Sequence, residues 1–155
     1  MASYDRQFEI VMPTFDRVMR MPVEVSDPLL VLPTSTSPLA LIDGELLQFN
    51  ATGKWARATD ATIPSYFCID ERGDTNVQAS KRLTCVVGPS MFINTLVFDT
   101  ALTTLGAKVG QGTCTVSSLS RSGLVAASTN FVLGYIVKTA AVNGGGRIQV
   151  HVTGL

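Results

Sequence analysis

Residues 147–153 read RIQVHVT: Ile148, Val150 and Val152 alternate with Arg147, Gln149, His151 and Thr153. A period of two puts the apolar side chains on one face of a strand and the polar ones on the other. Just before them, "AAVNGGG" ends in three glycines, which accept positive φ without a Cβ clash and so read as a turn. Upstream of the turn, "NFVLGYIVKT" is more uniformly apolar, as a central strand is, and the two strands predict a hairpin that closes the chain. The same grammar recurs earlier. Strand-like runs fall at residues 45–49, 54–59, 65–70, 81–87, 92–99 and 113–119, about ten residues apart. Turn chemistry such as "ERGDTN" and "SRSG" separates them. No stretch of helical length keeps i, i+3, i+4, i+7 apolar spacing; residues 98–106, "FDTALTTLG", are the best short-helix candidate. The pattern predicts an all-β fold, a small barrel or sandwich.

The first 38 residues break this grammar. Five of the seven prolines lie there. Proline lacks an amide N–H and holds its predecessor extended, so neither a long helix nor a sheet interior fits. Yet the segment is apolar, where a disordered linker would be polar. We read residues 1–38 as an extended N-terminal arm and residues 39–155 as the β domain. Short strand pairings are expected at "FEIVM" and "LLVL". Phe8, Ile10, Met12, Phe15, Val18 and Met21 are the apolar anchors through which the arm would lie on another chain or, alternatively, on its own domain. On this reading a chain lacking residues 1–25 still folds.

Charge narrows the partners. Twelve cations balance twelve acids, and only 15% of the chain is charged, so bulk electrostatics predict no nucleic-acid partner. No apolar run approaches the roughly 20 residues of a membrane span, and the N-terminus lacks a signal-peptide layout, so synthesis in a cytosol is expected. The charges are, however, unevenly placed. No Asp or Glu follows Asp99, whereas Lys108, Arg121, Lys138 and Arg147 do, leaving +4 on the last 56 residues and −4 on the first 99. Opposite-sign surfaces could meet within an oligomer or against a partner. Cys68, Cys85 and Cys114 are widely spaced. With a single histidine they make no convincing zinc set and read as reduced, buried thiols.

Candidate chemistry is sparse. Asp43 and Glu45 flank Gly44, but Asp-Gly is a favoured hairpin turn, and a paired-carboxylate site needs both groups aimed into one cleft. His151 lies on the polar face of its strand, and there is no G-x-S-x-G elbow to supply a serine nucleophile. "NGGGR" lacks the Lys-Ser/Thr of a phosphate loop. Arg72-Gly73-Asp74 is a three-residue match to integrin ligands within a plain turn, and Trp55, Tyr66 and Tyr135 fall on candidate strands. No catalytic residue, metal or cofactor is expected. A trimeric β hydrolase is the weakest reading, for want of a matched nucleophile and base.

In order, "DGELLQFNATGKWARAT", "ERGDTNVQASKRLTCVVGP", "FDT" and the closing "VLGYIVKT…GGGRIQVHVTG" resemble the head decoration, or cement, proteins of tailed bacteriophages across about residues 39–154. The resemblance implies a compact β domain of the β-tulip kind. It implies binding to the outside of the expanded capsid, contact with the major capsid protein, a homotrimer or alternatively a dimer, and neither cofactor nor catalytic residue. It places the protein on the outer capsid surface of the virion after synthesis in the host cytoplasm. The 38-residue arm is long for such proteins, which implies that it reaches farther over neighbouring subunits. The alternative is a virion-surface carbohydrate- or receptor-binding β module.

Overall fold

The computed structural model describes residues 8–12, 19–24, 41–69, 82–87, 90–127 and 131–153. They are nearly all β, as expected, in one curled half-barrel sheet and a second, smaller one. The strands are β1 (Phe8–Met12), β2 (Met19–Glu24), β3 (Leu46–Phe49), β4 (Trp55–Arg57), β5 (Tyr66–Ile69), β6 (Arg82–Val87), β7 (Met91–Thr95), β8 (Lys108–Val116), β9 (Leu119–Ala126), β10 (Gly134–Lys138) and β11 (Ile148–Val152). The large sheet runs β1-β7-β11-β10-β8-β9 and the small one β2-β6-β5-β3-β4; every strand pairing is antiparallel.

The closing hairpin forms as the alternation predicts. Ile148, Val150 and Val152 are fully buried while Gln149 and His151 are half-buried. β10 lies in the interior of the large sheet. The turn between them adds one feature, a single helical turn α1 (Ala140–Asn143), after which Gly144, Gly145 and Gly146 all take positive φ.

Two sequence expectations fail between residues 98 and 123. "SRSG" is not a turn. It lies within β9, whose partner β8 runs on to Val116, and the reversal is made by Ser117 and Ser118 at φ 51° and 66°. Residues 98–106 are not helical. Phe98 and Leu102 are buried, but Phe98 bridges to Leu124, the Asp99 carboxylate accepts from the Ala101 amide, and Leu105 faces solvent. The chain turns there, as its run of threonines favours over a helix.

The main core lies between the sheets. Leu46, Phe67 and Val86 of the small sheet pack against Met91, Ile93, Leu124, Ile136 and Val150 of the large one. The arm takes part. β1 is the edge strand of the large sheet and β2 the edge strand of the small one. Phe8 is 6% exposed and stacks on Phe67 at 5.2 Å. "FEIVM" therefore pairs as expected, and residues 8–12 are built into the β domain. The "LLVL" pairing and the "ERGDTN" turn with Arg72-Gly73-Asp74 lie outside the described residues.

Candidate interaction surfaces

The turn at Asp43-Gly44 exists: the Glu45 amide donates to the Ile42 carbonyl at 3.1 Å, and Gly44 sits at φ 87°. A Cβ on Gly44 would also press on Phe8 at 3.0 Å, so this turn needs glycine twice over. It is not a hairpin between two strands, however. Leu41 and Ile42 are buried without belonging to a strand, and β3 begins only at Leu46.

Glu45, which has no exposed surface, is the residue the sequence hid. Its Oε1 accepts from Arg57 Nε at 2.9 Å and the Ser122 amide at 3.2 Å; its Oε2 accepts from the Ile42 amide at 2.9 Å, Arg57 Nη2 at 3.3 Å and Arg121 Nη1 at 3.4 Å. Arg57 belongs to the small sheet, and Arg121 and Ser122 to the large one. The carboxylate thus pins the two sheets together. With its lone pairs committed to two guanidinium groups and two amides, it acts as structure, not as an acid or base.

The three cysteines are buried. Burial pushes the Cys85 thiol up to about 12. Burial, with Glu45 and Asp99 adding to it, pushes that of Cys114 up to about 11. Both stay protonated and unreactive near neutrality. Among the described residues no group of three or more His, Cys, Asp or Glu is placed to hold a metal ion, and no helix is long and apolar enough to cross a membrane.

His151 lies on the outer face of the large sheet. Its ring stacks on Phe92 at 4.4 Å and 3°, and its Nε2 is 2.8 Å from Ser90 Oγ. The register continues this position across five strands: Met12 opposes Phe92, Phe92 opposes His151, His151 opposes Tyr135, and Tyr135 opposes Lys108. Their neighbours Ile93, Val150, Ile136 and Val109 point into the core, so this row faces outward. Met12 is 57% and Tyr135 39% exposed. One row along the strands, Glu9, Asn94 and Gln149 oppose one another and form a polar cluster with Arg147 and Asn143. Glu9 Oε2 accepts from Arg147 Nη1 at 3.2 Å and from Asn94 Nδ2 at 3.3 Å. Asn94 Oδ1 accepts from Asn143 Nδ2 at 2.9 Å.

The arm anchors therefore divide. Phe8 serves this chain's own core, Ile10 packs half-buried against it, and Met12 is presented to solvent. Met21 sits in β2 opposite Cys85; Phe15 and Val18 lie outside the described residues. Of the aromatics singled out earlier, Trp55 packs edge-on between Phe49 at 5.7 Å and Tyr66 at 5.4 Å. Trp55 and Tyr66 rest on Leu41, Leu47, Cys68 and Cys85, so the rings interlock instead of lying flat side by side. The charge asymmetry is spent partly inside the molecule: Glu45 pairs with Arg121 and Glu9 with Arg147.

Compared with known proteins, the chain matches no family model, no curated protein and no solved structure.

Proposed function

We propose that this chain is a head decoration protein of a tailed bacteriophage. It would bind the outer surface of the expanded capsid and stabilise the shell by bridging major capsid protein subunits. The observation that carries this reading is the order and spacing of the motifs across residues 39–154. Where they lie within the described residues, those motifs fall on fold-determining positions: D-G-E is the turn and carboxylate that join the sheets, G-K ends the turn between β3 and β4, and the G-Y and GGGRIQVHVT segments build β10, its turn and β11. Such a protein needs no catalytic residue and no cofactor. A ligand that binds only the expanded shell shifts it away from rupture by mass action, and several weak contacts reinforce one another through effective concentration. The protein acts on the virion after synthesis in the host cytoplasm, as a homotrimer or alternatively a dimer, without nucleic acid or membrane.

The test is to mix the purified protein with expanded shells of the encoding phage that lack it. Co-sedimentation and a gain in shell resistance to heat are expected; failure of either removes the reading. A carbohydrate- or receptor-binding module is the alternative, drawing on the exposed rings of Phe49 and Tyr135. Specific binding on a glycan array without shell binding would favour it.

A further inference from the structure

We infer that the outer face of the large sheet, along the row Met12–Phe92–His151–Tyr135–Lys108, is the surface that docks on the shell, and that its partner there is a protein surface of apolar side chains flanked by carboxylates. The inference rests on the decoration reading and names the contact that reading leaves open. Five residues on adjacent strands span about 19 Å at the usual spacing of roughly 4.8 Å between strands. Across that width the face presents a methionine, three rings and a lysine. An apolar stripe of this kind marks an interaction site more often than scattered exposed residues do.

The rings of Phe92 and His151 stack on each other and are nearly parallel. Each covers one face of the other, so part of the ring area is already taken. The remaining area and the ring edges suit packing against protein side chains; a sugar would need a wide open ring face. The charge carried by β8 and β10 themselves is of one sign. Lys108 ends the row, Lys138 lies on the neighbouring strand β10 beyond Tyr135, and no acid occurs anywhere after Asp99. The nearby carboxylate of Glu9, on β1, is held by Arg147 and Asn94. A second copy docked face to face with its strands in the same order would bring Lys108 and Lys138 of both chains together, which like-charge repulsion disfavours; in the reverse order they would meet β1, whose Glu9 is already held by Arg147 and Asn94. An acidic, apolar shell surface matches both features.

The experiment is quantitative co-sedimentation with expanded shells at two salt concentrations. It compares the wild-type chain, the double variant Tyr135→Glu with Lys108→Glu, the single variant Lys108→Glu, and the control Leu105→Glu with Val142→Glu. All four substituted side chains are exposed, and thermal melting verifies folding. Expected are at least tenfold weaker binding for the double variant, weaker binding for Lys108→Glu, weaker wild-type binding at high salt, and control binding unchanged. Wild-type affinity in both row variants overturns this docking face and leaves decoration standing. Wild-type chain that never sediments with shells overturns the decoration reading and this face with it. Row variants that alter self-association in ultracentrifugation but not shell binding show that a second copy is the occupant, which also overturns the inference.

Discussion

Glu45 and the buried thiols set the chemistry of this molecule at the scale of single residues. Removing one partner of a buried ion cluster strands the others, at a cost of about 3–5 kcal/mol. Glu45→Gln keeps an acceptor but leaves Arg57 and Arg121 without their shared carboxylate. It is expected to lower stability on that order, read as a drop in denaturant midpoint with unchanged slope; a midpoint within error of wild type would remove the pin. The thiols give a pH signature. Cys85 is raised in the fold from 9.0 to about 12, so between those values the unfolded chain loses a proton that the folded chain keeps. Stability therefore falls as pH rises through that window, by up to about 1.4 kcal/mol per pH unit, and Cys85→Ala should flatten the decline in a series of melts. The Asp-Gly turn was legible in the sequence because its signal is local. Glu45's role was not, because its partners lie 12 and 76 positions away and nothing in "DGELL" says which carboxylate goes inside.

At the scale of elements, local pattern and tertiary choice part company in the same way. The alternation of β11 and the triple-glycine turn needed no long-range information. The β8–β9 hairpin did. Its turn places Ser117 and Ser118 in left-handed conformations that two-residue hairpins usually give to Asn-Gly, so the sequence carried no marker there and "SRSG" drew the eye instead. Serine at such φ is strained by roughly 1 kcal/mol or more per residue. Ser117→Asn with Ser118→Gly should therefore raise the melting temperature, by about 1–2 kcal/mol of stability; a loss would mean that the serines serve a contact. Proline density and apolar content likewise favoured docking on another chain over the chain's own domain, whereas β1 contributes Phe8 to the core. Phe8→Ala should cost about 3–5 kcal/mol. The truncation lacking residues 1–25 is accordingly expected to melt well below the full chain, measured by circular dichroism; identical melts would return the arm to a separable role.

For the whole molecule, the uneven charge is the feature that changes meaning most between sequence and structure. Part of it closes within the chain, through Glu45–Arg121 and Glu9–Arg147, and what faces outward from β8 and β10 is Lys108 and Lys138. An outward sheet face with an apolar row and cations at one side suits a molecule whose work is to lie on a larger surface. The fold class was readable because strand periodicity and turn chemistry are repeated many times along the chain. The docking row was not, because it is assembled from five strands whose order only the fold supplies. On the proposed decoration reading, the most direct measurement is a cryo-EM reconstruction of the mature particle of the phage that would encode this chain. The account predicts copies of the β domain grouped in threes, or alternatively in twos, on the outside of the shell, each spanning more than one capsid subunit, with the large sheet's outer face against it. A shell whose outer surface carries no copy of the domain, or only isolated copies bridging nothing, would contradict it.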